Sequence, residues 1–188
     1  MPDTDLTGRT VLAIVTSYGV EQDELVVPAE HLRERGAVVT VASPGAEEVT
    51  TLVGDKDPGR TVPADVDLAD VDPADFDLLL VPGGTLNADS LRLEEATGRI
   101  VRSFTGSGRP VAAICHGPWA LVEAGVVAGK TLTTYPSLRT DVRNAGAAHW
   151  RDEPVVVDDA EGWTLITSRT PDDLEDFLGA IDTALGAG

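Results

Sequence analysis

The chain has 188 residues, with 32 acidic against 14 basic side chains, a net charge of −18 and a single cysteine. A negative field of that size repels nucleic acid and anionic membranes, so neither is expected as a partner, and a lone cysteine excludes an internal disulfide framework. The length suffices to bury a core without crosslinks, and one domain over residues 1–188, with its core at about 10–185, is expected. The opening MPDTDLTGR lacks a basic segment followed by an apolar core, and no apolar run approaches the roughly 18 residues of a membrane helix. A soluble cytoplasmic protein is the expectation.

Residues 10–16, TVLAIVT, read as a buried strand, and 17–20 as a turn. Glu21 to Glu24 lead into a helix that carries Leu25, Ala29 and Leu32 inward and ends near Gly36; Pro28 either bends this helix or marks a late start. Residues 37–42 form the next strand, so the opening is β-α-β and its strands are parallel. Between 43 and 76 the signal weakens, with 50–53 and 60–62 as possible short strands. Asp65, Asp67, Asp70, Asp72, Asp75 and Asp77 lack the glycine and closing Glu of a calcium loop and read as a solvated acidic segment. Residues 77–81 are a third buried strand that ends in Pro82-Gly83-Gly84, and Leu93, Ala96, Ile100 and Phe104 mark one helix face. Residues 110–114 are a fourth strand. Beyond it come a short strand at 131–134, a short helix at 137–144 and a hairpin of 155–157 with 163–167. Thr170-Pro171-Asp172-Asp173 reads as a helix start, with Thr170 as N-cap and Leu174, Phe177, Leu178, Ile181 and Leu185 as the apolar face. The whole is a three-layer α/β arrangement with a mostly parallel sheet, and sites in such sheets lie beyond the strand carboxyl ends.

Cys115 stands between the fourth strand and a helical pattern opened by Gly117-Pro118, in the run AAICHGPW. A strand that turns at once into a helix, with one polar residue at the junction, has the geometry of a nucleophile elbow. The dipole and free N–H groups of the following helix would favour thiolate over thiol. His116 supplies a base or an imidazolium partner. Gly84 N–H is an oxyanion-hole candidate, because two glycines let the backbone approach a bound group, and His116 N–H is a second. Glu21 and Glu24 follow the first strand at the same sheet edge. A buried Glu has its pKa raised and can exchange a proton with a thiol. His31 reads as a surface residue and His149 as structural. Three scattered histidines and one cysteine make no zinc site, and no GxGxxG or P-loop pattern occurs, so no metal or cofactor is expected.

Several stretches together resemble one family. They are Glu21-x-x-Glu24-Leu25-x-x-Pro28, Leu80-Val81-Pro82-Gly83-Gly84, Ala112-Ala-Ile-Cys-His-Gly-Pro118, Ala124-Gly125-Val126, Thr133-x-Tyr135-Pro136, Asn144-Ala-Gly146 and Thr167-Ser-Arg-x-Pro-Asp-Asp173. From about residue 10 to 180 the chain is similar to the ThiJ/PfpI (DJ-one) superfamily, on the side of the PfpI-like intracellular proteases and general stress proteins. The resemblance implies a flavodoxin-like sandwich related to class I glutamine amidotransferase domains, in a homodimer or a hexamer of dimers. It also implies Cys115 as nucleophile, Glu24 as the carboxyl that hydrogen-bonds it and Glu21 as a second site acid. Family members with peptidase activity add a carboxylate from a neighbouring subunit, in the loop after Pro-Gly-Gly. Counted back from Leu91-Arg92-Leu93 that position is Asp89, and counted forward from Gly84 it is Ala88.

The activities that the resemblance implies are cofactor-free conversion of glyoxals, removal of early glycation adducts, peptidase action, and redox-sensing or chaperone roles without turnover. Glyoxal chemistry needs a thiolate and an acid/base pair, which Cys115, Glu24 and His116 can supply. Peptide hydrolysis also needs a well-set triad. A stress-protective cysteine enzyme acting on dicarbonyls or glycated proteins is therefore expected first, a peptidase or a redox-sensing stress protein second.

The carboxylates comprise 20 Asp and 12 Glu, whereas the cations are 12 Arg and only two Lys, Lys56 and Lys130. Such a composition suits a high-salt cytoplasm, where screening removes self-repulsion, and equally a GC-rich genome.

Overall fold

The computed structural model describes residues 4–186. In chain order its strands and helices are β1 Thr10–Ile14, β2 Tyr18–Glu21, α1 Gln22–Glu34, β3 Val38–Ser43, β4 Val49–Val53, β5 Asp57–Val62, β6 Val66–Asp67, β7 Leu78–Val81 and α2 Thr85–Leu91. There follow α3 Glu95–Gly106, β8 Val111–Ile114, α4 Pro118–Ala124, β9 Thr131–Leu132, α5 Arg139–Asn144, β10 His149–Trp150, β11 Val155–Asp158, β12 Leu165–Ser168 and α6 Leu174–Gly186. The central sheet has the order β11-β12-β8-β7-β1-β3-β6. Its neighbours are parallel except at the β11–β12 hairpin, where Val156 faces Thr167.

The central strands read as unbroken apolar runs because both faces are covered. Along β1 and β7, alternate residues go to opposite sides: Val11, Ala13, Leu78 and Leu80 pack with Leu25, Leu32, Phe177 and Ile181 under α1 and α6. Leu12, Ile14, Leu79 and Val81 pack with Ile100, Phe104, Ala120 and Leu121 under α3 and α4. The sheet is thus the middle of three layers, and β1, β7 and β8 bring their carboxyl ends to one edge.

Several local expectations change. Residues 18–21 form a strand, not a turn, because Tyr18 to Glu21 pair in parallel with β4 in a second sheet of order β2-β4-β5. Helix α1 starts at Gln22 and is continuous through Pro28, so the proline marks no late start. Leu93 is 74% exposed and belongs to the break between α2 and α3, so the apolar face of α3 starts after it. At Thr170 the side chain makes no cap; a 3-10 turn over Pro171–Asp173 precedes α6, and Asp173 pairs with Arg169 at 2.8 Å. His31 is half-buried rather than on the surface, and its Nε2 lies 3.0 Å from Asp182.

The acidic run is largely open to solvent, as expected: Asp65, Asp70, Asp72 and Asp75 are exposed, and Asp67 and Asp77 are half-buried. Asp65 accepts from Val41 N–H, Asp67 from Gly45 and Ala69, Asp72 from Ala74 and Asp77 from Thr10. Four of the six carboxylates therefore serve as local acceptors that tie down short 3-10 turns and strand starts. Lys130 plays the converse part. Its side chain is fully buried, with Nζ donating to the carbonyls of Asp158, Ala160 and Trp163, 3.5 Å from the Asp158 carboxylate and 4.0 Å from the centre of the Trp163 ring.

Candidate active site

Cys115 occupies the junction of β8 and α4 with φ at +61°, in the left-handed region that residues other than glycine seldom visit. Its N–H donates to Ser168 O at 3.0 Å and its carbonyl accepts from Tyr135 N–H at 2.9 Å, so both backbone groups are anchored while the conformation is strained. The turn closes through Gly117 N–H to Ile114 O at 2.8 Å. A Cβ on Gly83 would stand 2.6 Å from Glu24 Oε2 and 2.8 Å from both Cys115 Cβ and His116 N. Only glycine lets the Pro-Gly-Gly turn and the elbow pass this closely.

Glu24 projects from the first turn of α1 and is completely buried. Gly83 N–H donates to its Oε2 at 2.7 Å, whereas Oε1 is buried with no hydrogen-bond partner. Burial raises the pKa of this carboxyl to about 8, against the opposing pull of the Gly83 N–H and the adjacent Cys115 thiol, with Glu21 and Asp55 adding like charge. Burial also pushes the Cys115 thiol up, and the Glu24 carboxylate adds to that, while the N–H groups of Gly84 and His116 pull it down. The helix-dipole expectation of a ready thiolate is therefore corrected: Cys115 is 5% exposed, and α4 begins only at Pro118. Desolvation dominates. The two groups form a buried acid pair in which a proton on one decides the charge of the other.

His116 is 5% exposed, with Nδ1 3.1 Å from Cys115 Sγ and Nε2 3.4 Å from Ser137 Oγ. Its ring stacks on Tyr135 at 4.6 Å and meets the edge of Trp119 at 5.3 Å. Burial lowers its pKa against the opposing charge of Asp55, which keeps the imidazole neutral near pH 7. Glu21, at the end of β2, turns its carboxylate to the hairpin between β4 and β5, accepting from Gly54 N–H at 3.1 Å and Asp55 N–H at 3.0 Å. Asp89 is exposed on α2, and no hydrogen bond or ion pair joins it to the described residues of the Cys115 cluster. His149 is exposed, away from the thiol in β10.

Two residues that sequence reasoning missed hold the site together. Asn87, fully buried in α2, accepts from Thr16 N–H at 2.7 Å and donates to Gly83 O at 2.9 Å, which ties the end of β1 to the glycine turn. Asp55 accepts from Thr85 N–H at 2.7 Å and from its hydroxyl at 2.6 Å. No spacing signal announces either contact. The Asn87 amide bridges 71 residues to Thr16, and the Asp55 carboxylate bridges 30 residues to Thr85. Among the described residues no group of three His, Cys, Asp or Glu could hold a metal ion, and no helix is long and apolar enough to cross a membrane.

Known proteins are similar to this chain over most of its length. The Bacillus subtilis protein YraA, whose name proposes a cysteine protease, is 39% identical over 167 residues, which are 88% of this chain and 92% of that protein. Escherichia coli protein/nucleic acid deglycase 2 is 38% identical over 177 residues, or 94% of this chain and 98% of that one. The crystal structure of Drosophila melanogaster DJ-1beta superposes with a TM-score of 0.83 at 33% identity, covering 96% of this chain and 91% of that one. Residues 9–183 match the model of the DJ-1/PfpI family, and with a glutamate, a cysteine and a glycine pair packed at one sheet edge the chain belongs to that family.

Proposed function

We propose that this protein is a cofactor-free thiol enzyme that acts on reactive dicarbonyls or on the early adducts they form with proteins. The observation that carries this reading is the Glu24 carboxyl, buried beside Cys115 with its pKa near 8 and its Oε1 unpaired. A general acid/base poised close to neutral pH, within reach of a nucleophile, is what proton transfer between adjacent carbons needs. The deglycase name of the Escherichia coli relative supports the same class of substrate.

In this reading the ionised fraction of Glu24, a minority at pH 7 because its pKa is about 8, takes the Cys115 proton as the sulfur adds to the aldehyde carbon, forming a hemithioacetal whose oxyanion takes the N–H groups of Gly84 and His116. Glu24 and His116 then carry a proton from that carbon to the neighbouring one. The first carbon is oxidised to a thioester and the second reduced to an alcohol, so no external electron acceptor is used. Water cleaves the thioester, releases the 2-hydroxy acid and restores the thiol. Methylglyoxal would yield lactate.

The test is incubation with methylglyoxal, without glutathione or added metal, at low and at molar salt. Lactate that appears with the wild type and vanishes in Cys115→Ala supports the reading; no lactate from the wild type overturns it. A second reading, peptide hydrolysis, is favoured by the 3.1 Å approach of His116 Nδ1 to the sulfur and by the name of the Bacillus subtilis relative. It would require assembly with a second copy that brings Asp89 to His116, and it predicts peptidase activity that Asp89→Asn abolishes.

A further inference from the structure

The loop between β4 and β5 is three residues, Gly54-Asp55-Lys56, whose first two have φ of 64° and 58° and whose Lys56 N–H is directed back at Val53 O. Two left-handed residues in succession are the mark of a type I′ turn, and an aspartate in that conformation needs support from its surroundings. Here the support comes from both sides. The buried Glu21 carboxylate takes the N–H groups of Gly54 and Asp55, and the Asp55 carboxylate in turn takes the N–H and hydroxyl of Thr85.

Thr85 follows Gly83 and Gly84 directly. Gly83 is held at its N–H by Glu24 and at its carbonyl by Asn87. Gly84, with φ at +78°, lies between those anchors and Thr85. A glycine pair has no local preference strong enough to aim an N–H, so its direction is set by what grips the two ends. One end is gripped inside the protein; on the other side Gly84 lies close under the backbone of Gly19 to Glu21 and accepts from Ala88 N–H, and Thr85 next to it is gripped by Asp55.

We propose that Asp55 is a positioning residue of the Cys115 site: by gripping Thr85, it fixes the Gly83-Gly84 turn, where a Cβ on Gly83 would stand 2.8 Å from Cys115 Cβ, against the cysteine. The proposal rests on the reading of Cys115 as a group that reacts as a thiolate. Glu21 then acts at one remove, by holding the Asp55 turn. Its own carboxylate, spent on Gly54 and Asp55, is a prop for the site rather than a proton donor to the thiol.

The experiment is the rate of Cys115 alkylation by iodoacetamide across pH, for the wild type, Asp55→Asn and Asp55→Gly. Asparagine keeps an acceptor for Thr85 N–H; glycine keeps the left-handed turn and loses the acceptor. Both variants remove the same charge. The groups that face Cys115 and its partners are Glu24 and Glu21 near α1, His116 in the elbow and Asp55 on the hairpin, so the two variants are matched in charge and differ in the acceptor offered to Thr85. The alkylation midpoint of Asp55→Gly is expected about one pH unit above that of Asp55→Asn, the size of one lost hydrogen bond to a charged group. Coincident midpoints overturn the proposal. If Asp55→Gly does not fold, Thr85→Val removes the hydroxyl contact at constant charge and should raise the midpoint above the wild type; an unmoved midpoint there overturns it equally. Alkylation needs no substrate, so a wild type that makes no lactate counts against the dicarbonyl reading and leaves this comparison standing.

Discussion

One hydrogen bond, from Gly83 N–H to Glu24 Oε2 at 2.7 Å, decides how the carboxyl of Glu24 is divided: one oxygen serves the backbone and the other is left over beside the thiol. Glu24→Gln keeps an acceptor for Gly83 and removes the transferable proton. The variant should fold, keep Cys115 open to alkylation and lose at least ~100-fold in dicarbonyl turnover. Turnover near the wild-type rate would refute the acid/base role.

The same carboxyl makes stability depend on pH. Its pKa is raised from 4.5 to about 8 in the folded protein, so the native state holds a proton that the unfolded chain releases between those values. The contribution is fully present below the unfolded pKa and is lost as pH rises through the folded one. The wild type should lose on the order of 4 kcal/mol of stability between pH 4.5 and pH 8 that Glu24→Gln retains, read from denaturant midpoints of the two proteins.

Backbone strain at the elbow gives a separate expectation. Cys115 tolerates a φ of +61° as an unbranched residue, and a β-branched side chain does so far less well. Cys115→Val should be about 2 kcal/mol less stable than Cys115→Ala in urea, although valine is the more apolar of the two. Equal stability would mean that the elbow relaxes.

Lys130 holds three carbonyls and a carboxylate between Asp158 and Trp163, where the β11–β12 hairpin turns. Lys130→Met fills the same volume and abandons those acceptors. A loss of about 3 kcal/mol is expected by thermal or chemical denaturation, the cost of leaving a buried ionic partner alone. A loss below ~1 kcal/mol would show that water takes over from the ammonium.

Surface charge supplies the last test. With a net charge of −18, the folded chain repels itself, and screening by salt relieves that repulsion. The melting temperature should climb between low salt and molar potassium chloride. A flat response would leave codon composition as the better account of the carboxylates.

How much of this could be read in advance follows the range of the forces involved. Strands β1, β7 and β8 are legible because burial on two faces writes a continuous apolar run, β3 because its apolar residues stand out despite an exposed Val38 and a half-buried Thr40, and the elbow is legible because a strand, a cysteine and Gly-Pro fall within a few consecutive residues. Glu24 and Gly84 are legible as candidates through the loops that follow buried strands. The second sheet is not, since Tyr18–Glu21 mixes exposed and buried residues and pairs with a strand 30 residues away. Helix α2 is hidden too, being seven residues long and preceded by a glycine in place of a side-chain cap. Asp55 and Asn87 act through tertiary hydrogen bonds, and nothing local distinguishes them from ordinary turn and helix residues. The thiol was misjudged for a similar reason: a dipole argument can be made along the chain, whereas desolvation depends on what folds over it.

The 5% exposure of Cys115 carries one more consequence. With His116 and the glycine turn packed against it, Cys115 shows little surface to solvent, so cross-section should decide what reaches it before reactivity does. Slender molecules, or the projecting end of a larger one, can enter; a bulky aromatic disulfide should react slowly even with an ionised thiol. Titration with large thiol reagents would then undercount this cysteine, and a low reading would describe the width of the doorway, not the chemistry behind it.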